Sequence, residues 1–337
     1  MRRIPLRYLV RRLVTLVAVV WLAASVNFLL PRITAHDPVL EYLLELNAQT
    51  SGDQEDVSER MLQFYQNWAG LNRPLWQQYL RYLGNMLRFD FGRSFRSRRP
   101  VTEIVLDALP YTLTLLTVST LLAFGLGSML GAWLGWQRDA GLLKALVPGL
   151  MVISSIPPFI VALLLIYVFA FRLQLFPFRG SYSATIVVDW SSAEFWLDVI
   201  HHATLPALTM ILVTGGRWAM WMRGLTISTV GADYVIFGDA KGLKRWRLLL
   251  DYAMRNAMLP QVTQLALSLG TIVSGYTLVE TMFSYPGVGH LLAEAIMASD
   301  YAMIQGCVFF LILAIALATF AIDLLYPLLD PRIRYAR

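Results

Sequence analysis

Polar chemistry is scarce in this chain, and where it occurs its spacing is informative. His201 and His202 are adjacent, so on a helix their rings point in different directions, and no carboxylate or third ligand stands at a metal-binding interval from them. A zinc site is therefore not expected. Cys307 is the single cysteine and lies inside an apolar run, which excludes an intrachain disulfide or a cysteine metal cluster and leaves a buried, inert thiol. No G-x-x-x-x-G-K-[ST] stretch occurs, so the chain does not by itself cradle a nucleotide phosphate in the usual way. Glu280 and Asp323 sit near opposite faces of the layout derived below, so no catalytic pair of carboxylates assembles. Glu280 itself has two open readings. A carboxylate at the end of an apolar run is costly unless solvated, paired or facing a water path, so it either serves a translocation path or fills a structural hydrogen-bonding role.

The densest polar stretch covers residues 233–260. Asp233 is expected to cap a short helix and Gly242 to end it in the left-handed conformation. A second helix is expected from Lys244. There Trp246, Leu249, Leu250, Ala253, Met254 and Ala257 recur at i, i+3, i+4 and i+7, with Lys244, Arg247, Asp251 and Arg255 on the other side. Pro260 then marks the start of a new helix. On pattern alone this is an interfacial helix pair.

With 57% hydrophobic and only 15% charged residues over 337 positions, the elements that hold these groups read as membrane helices rather than a soluble fold. The net charge of +6 does not indicate nucleic acid, because the basic residues gather beside apolar runs. Six spans are expected, over residues 13–30, 108–137, 145–171, 201–221, 256–279 and 302–325. Arg2, Arg3, Arg7, Arg11 and Arg12 precede the first. No small-residue cleavage site follows that run cleanly, so it reads as a retained helix with its arginines in the cytoplasm. Residues 32–107 form a long external segment. In it Ser51-Gly52-Asp53-Gln54-Glu55-Asp56 reads as a flexible turn, Pro74 opens a helix, and Arg96, Arg98 and Arg99 make either a solvated or headgroup-facing edge or a substrate contact.

Gly127, Gly131 and Gly135 stand at i, i+4 and i+8 in the second span, a stripe that lets another helix approach closely. Arg138-Asp139-Ala140-Gly141 is an inward turn. Ser154-Ser155-Ile156-Pro157-Pro158 interrupts the third span. Pro157 and Pro158 remove two helix hydrogen bonds, so the break either lines a translocation path or is a packing kink. In the 223–255 segment Arg223, Lys241, Lys244, Arg245, Arg247 and Arg255 outnumber Asp233, Asp239 and Asp251, as expected of a cytoplasmic loop.

Asp233-Tyr234, Ala240-Lys241-Gly242-Leu243, Arg255-Asn256-Ala257 and Leu259-Pro260 closely resemble the cytoplasmic coupling loop of binding-protein-dependent ABC importer permeases of the dipeptide/oligopeptide/nickel branch. Glu280-Thr281-Met282-Phe283-Ser284-Tyr285-Pro286-Gly287-Val288-Gly289 is similar to a second motif of that family. The external helix at Pro74, the Asp90-Phe91-Gly92-Arg93-Ser94 turn, Pro100-Val101, the Ile156-Pro157 break and the tail at Asp330-Pro331-Arg332 add to the likeness, which covers essentially the whole chain. One departure lies at Ile236, Phe237 and Gly238, where the generic signature has an acid and two alanines.

The resemblance implies an all-α polytopic protein of the type I ABC importer permease fold, multi-pass in the cell inner membrane, with both termini cytoplasmic. Residues 1–31 would be the N-terminus and first helix, 32–107 the external segment, 108–327 the transmembrane domain with its coupling loop at about 223–257, and 328–337 the tail. It implies a transport subunit and no enzyme, binding no cofactor while two partner ATPase subunits use ATP and Mg. A second, similar permease subunit, an external solute-binding protein and membrane lipid complete the partners, with no nucleic acid. ATPase closure would move the short helix around residues 239–243 and tilt the spans. Asp233, Tyr234, Asp239, Ala240, Lys241, Gly242, Leu243, Arg245, Arg255 and Pro260 would form the docking elbow, Lys241 or Arg245 pairing with acids of the partner, and Pro157, Pro158 and Glu280 would serve the path. Cargoes implied are di- or oligopeptides, with oligosaccharides or a nickel complex as alternatives. An intramembrane enzyme lacks its constellation here, and a passive channel does not explain a docking elbow.

Overall fold

A computed structural model of the protein describes residues 6–33, 74–94, 96–137 and 141–329. The 51–56 turn, the inward turn at 138–140 and the tail from Asp330 lie outside the described residues. Among the described residues the structure is helical, with a single isolated antiparallel bridge between Arg93 and Pro100.

Four helices carry stretches long and apolar enough to cross a membrane. They are α1 (Leu6–Ile33), α3 (Val101–Trp136), α6 (Ala193–Val230) and α11 (Tyr301–Leu329). Between α1 and α3 lies α2 (Leu75–Leu87), which Pro74 opens as expected. A fifth candidate span is bent by 103° into α4 (Gly141–Ser155) and α5 (Pro158–Leu165), the latter widening into a π-helical turn, Ile166–Arg172. Then come α7 (Asp233–Ala240), α8 (Arg245–Arg247), a second π-helical turn at Leu248–Met254, α9 (Arg255–Met282) and α10 (Val288–Met297). Several expected boundaries move. α3 starts at Val101, so Glu103 and Asp107 are helical rather than part of an irregular external segment, and α6 begins eight residues before His201. The loop expected after Ser284 contains α10. With 38 residues, α6 is about 57 Å long at 1.5 Å per residue, so its ends project beyond a ~30 Å hydrocarbon core.

The chain divides into two compact units. One comprises residues 13–108 and 291–316. In it α2 is held to α1 by the hydroxyls of Ser25 and Tyr79 at 2.6 Å and by edge-to-face packing of Phe28 on Tyr79. Asn27 donates to the Gln305 carbonyl at 3.1 Å. A turn at 90–101 brings the Ser94 hydroxyl to Asp300 at 2.7 Å, while the other oxygen of Asp300 caps α11 by accepting from the Met303 amide at 3.1 Å. Arg99 pairs with Asp107 at 2.9 Å, which occupies one member of the basic cluster.

The second unit comprises residues 1–12, 109–290 and 317–337. Its axis is the crossing of α3 on α6. A Cβ added at Gly127 would lie 2.5 Å from the Gly215 carbonyl oxygen, one at Gly131 would overlap the Ala219 carbonyl, and one at Gly135 would lie 2.8 Å from the Arg223 carbonyl. The stripe therefore finds its partner in residues spaced by four along α6, and only glycine permits this backbone approach. On another face of α6, Gly216 meets Leu150 and Ser154 of α4, while α5 packs against both α6 and α9. At one end of the unit Arg12 pairs with Asp323 at 3.0 Å and the Tyr8 hydroxyl donates to the Asp323 carbonyl at 2.9 Å.

Gly131→Ala is expected to destabilise the protein by about 1–3 kcal/mol through overpacking at α3–α6. Gly125→Ala, whose added methyl meets nothing within 4 Å, serves as the control and should change stability by no more than about 0.5 kcal/mol in detergent unfolding.

Candidate functional site

The polar stretch folds as an elbow of two helical pieces. α7 ends in a left-handed residue, Gly242 at φ +73°, whose amide donates to the Asp239 carbonyl at 2.8 Å while the Leu243 amide donates to the Gly238 carbonyl at 3.3 Å. This pair of bonds closes a helix at glycine and reverses the chain. Gly238 faces inward. A Cβ there would lie 2.7 Å from Leu248, so its absence lets α7 sit on the following turn, where Leu248 and Ala253 are buried.

Outward the elbow presents Tyr234, Ile236, Phe237, Trp246 and Leu250, with Phe237 and Trp246 each 62% exposed. Lys241 holds its ammonium 4.5 Å from the centre of the Phe237 ring. Asp233, Asp239, Ala240, Arg245 and Arg255 are also exposed, and Leu243 is half-buried. The surface is thus apolar and basic together.

Four details differ from expectation. Asp233 is the first helical residue, with Ala232 at the cap position, so its carboxylate favours the helix through the N-terminal dipole rather than through a capping bond. The moving piece expected around 239–243 is mostly turn, because the helix itself is 233–240. Pro260 lies inside α9, exposed, and omits one bond of a continuing helix instead of starting a new one. The apolar stripe holds in part: Ala253 and Ala257 are buried and Leu249 and Met254 half-buried, whereas Trp246 and Leu250 are exposed. The π-helical turn inserts residues at a wider pitch and rotates the faces, burying Leu248 and leaving Trp246 outside.

At the break between α4 and α5, the Ser154 and Ser155 hydroxyls both donate to the Met151 carbonyl, at 3.1 and 2.8 Å. Pro157 caps α5 and Pro158 is its first residue, the position a proline tolerates because its missing N–H is not needed there. The break is thereby a joint between two helices: of the two carbonyls that Pro157 and Pro158 leave without an i+4 donor, that of Ile153 accepts from the Ile156 amide at 3.3 Å instead.

Glu280, 0% exposed, is enclosed at the end of α9. The chain turns at Ser284 and starts α10, whose first amides point at the carboxylate: one oxygen accepts from Gly289 at 2.7 Å and from His290 at 3.3 Å. The two amides at the start of α10 offset part of the cost of burying this carboxyl group. Thr112 of α3 accepts from the Val288 amide at 2.8 Å, fixing the same turn to a third helix. A Cβ at Gly287 would collide with the carboxyl group, and one at Gly289 would lie 2.7 Å from its oxygen. The two glycines of the Pro-Gly-Val-Gly run are thus demanded by a side chain seven to nine residues earlier.

The histidines do part company. His201 meets the Leu175 carbonyl at 2.8 Å, whereas His202 is buried against Asp198, whose carboxylate accepts from the Ser183 amide at 2.6 Å and hydroxyl at 2.9 Å. In the loop before α6, hydrogen bonds from the Ser191 hydroxyl and amide hold the Asp189 carboxyl below its ordinary value. Asp198 and Asp300 carry local structure that sequence reasoning passed over. For Asp300 the signal existed, an aspartate directly before an apolar helix.

Residues 123–335 match the family described as binding-protein-dependent transport system inner membrane component, and residues 5–116 match the N-terminal family of such membrane components. The dipeptide transport system permease protein DppB of Escherichia coli K12 is 31% identical over 283 residues, 80% of this chain and 84% of its own length. The oligopeptide transport system permease protein AppB of Bacillus subtilis 168 is 31% identical over 336 residues, covering 97% and 99% of the two chains. The di/tripeptide transport system permease protein DppB of Pseudomonas aeruginosa UCBPP-PA14 is 30% identical over 348 residues, covering 98% and 100%.

Glu280→Ala leaves the Gly289 and His290 amides unpaired in a buried turn and is expected to cost about 1–3 kcal/mol. Gly289→Ala should cost a similar amount by displacing the carboxylate, whereas Gly149→Ala, with open space around it, should not; thermal unfolding of the purified protein reads all three.

Proposed function

The chain belongs to the family of inner-membrane components of binding-protein-dependent transport systems and is a multi-pass inner-membrane protein, and from that premise we propose that it is one permease subunit of an ATP-driven peptide importer. It supplies half of the translocation path, while peptides arrive from an external solute-binding protein. A second, similar permease supplies the other half. Two ATPase subunits use ATP and Mg below the membrane, and this chain performs no hydrolysis itself. Peptide as cargo is supported by the dipeptide, oligopeptide and di/tripeptide systems to which the relatives above belong.

The observation that carries the proposal is the elbow's outer face. An exposed apolar patch at Tyr234, Ile236, Phe237 and Trp246, rimmed by Lys241, Arg245 and Arg255, is what a protein partner covers. The ATPase is that partner. Asp239, Ala240 and Gly242 lie at the reversal, where nothing stands within 4 Å of a Cβ added at Gly242, so a partner surface can come close. Each ATPase state contacts this face differently and thereby biases the helices attached to it.

In this reading α9 is the fifth crossing and α11 the sixth, the termini lie in the cytoplasm with the elbow, and residues 32–107 lie outside. The tie between Arg12 and Asp323 supports an even number of crossings, because it joins the start of α1 to the end of α11. The proposed divisions are residues 1–31, 32–107, 108–327 with the elbow in about 223–257, and 328–337. Pro157 and Pro158 line the path at the joint, and Glu280 holds its outer end closed against α10.

Gly242→Trp, which puts a bulky side chain into a left-handed position, is expected to abolish ATPase copurification and ATP-driven uptake while the chain still inserts. Phe237→Asp should weaken ATPase retention by on the order of tenfold or more. Retention and uptake unchanged in both variants would rule out docking at this face.

A further inference from the structure

Gln261 is completely buried one residue after Pro260, where α9 enters the bundle from the elbow. Its side-chain amide donates to the Ser128 hydroxyl of α3 at 3.1 Å and to the Trp218 backbone carbonyl of α6 at 3.1 Å. Directly toward the elbow, Ala132 of α3, Met222 of α6 and Ala257 of α9 form a small apolar cluster that Leu249 and Met254 complete. α3 and α6 are already joined backbone to backbone by the glycine stripe. The amide therefore ties the helix leaving the elbow to the helix entering it, and both to α3.

Two other polar contacts tie α9, or the turn that follows it, to α3. Tyr276 reaches the Leu116 carbonyl at 3.5 Å, and Thr112 holds the turn that encloses Glu280. At Gln261 a buried primary amide meets acceptors on two different helices, an arrangement that an aliphatic side chain of similar size would pack but not orient. Displacement of the elbow would otherwise be absorbed by α9 sliding on α6, since the apolar cluster beside it resists separation more than shear.

We propose that Gln261 is a positioning residue for transport: it makes α3, α6 and α9 turn as one lever, so that work delivered at the elbow reaches the path instead of being lost at its base. The inference rests on the transport reading above. Without this bond the ATPase still docks and hydrolyses, but fewer strokes move cargo.

The test uses the complete transporter in proteoliposomes, with its ATPases, second permease and binding protein loaded with a labelled dipeptide, measuring peptide taken up per ATP hydrolysed. Gln261→Leu is expected to lower that ratio by roughly three- to thirtyfold with assembly and ATPase rate retained. Ser128→Ala should lower it less, and should add nothing in the Gln261→Leu background, as expected of two groups in one interaction. An unchanged ratio in an assembled Gln261→Leu transporter overturns the proposal. If that variant does not assemble, Ser128→Ala decides: a lowered ratio supports the lever and an unchanged one overturns it. A wild-type complex that shows no ATP-driven uptake would instead sink the transport reading, and with it the basis of this inference.

Discussion

Lipid tails are as apolar as leucine, so helices in a bilayer gain little by burying aliphatic side chains against each other, and close backbone approach and polar contact carry the packing. In this protein that constraint is met at α3 on α6, where Gly127, Gly131 and Gly135 admit the carbonyls of Gly215, Ala219 and Arg223. The remaining helices of the unit are arranged around this pair. α4 reaches α6 at Gly216, α5 packs on α6 and α9, and α9 is oriented by Gln261. Exposed leucines and valines along α1 and α3 are ordinary in such a setting, because their solvent is hydrocarbon.

The same solvent governs every place where a helix is interrupted. A free carbonyl in hydrocarbon costs several kcal/mol, so breaks occur only with a local replacement partner. The Ile156 amide turns to the Ile153 carbonyl before the 103° bend, and Pro157 and Pro158 then start a helix at the position where proline omits nothing. At the elbow the replacement is the reversal at Gly242. At the turn after α9 it is the Glu280 carboxylate, which serves as partner for two amides of α10. One economy of donors and acceptors thus shapes the joint, the elbow and the clasp.

What was legible in the sequence followed from local rules. Apolar run length located four long apolar helices among the described residues, paired prolines located the bend, spacing by four marked the glycine stripe, and Gly242 was the evident site for a left-handed residue. Partners distant in sequence were not legible. Nothing in Pro286-Gly287-Val288-Gly289 by itself reveals that its glycines make room for Glu280, and nothing near Gln261 points to Ser128. The periodic reading after Lys244 held for Leu249, Ala253, Met254 and Ala257 but missed at Trp246 and Leu250, since a helix that widens for seven residues no longer repeats every 3.6. Asp233 and Pro260 were misplaced by small steps along their helices, the uncertainty inherent in boundaries read from capping preferences alone.

The tie of Tyr8 and Arg12 to Asp323 spans 315 positions of sequence. A ribosome adding about 5–20 residues per second needs roughly 15–60 s to travel that distance, so α1 enters the membrane long before its partner exists. During synthesis the opening arginines have only lipid headgroups and water for company. Closure of this end is therefore among the last events of biogenesis, and a nascent chain stalled before Asp323 would leave the start of its first helix without this tie.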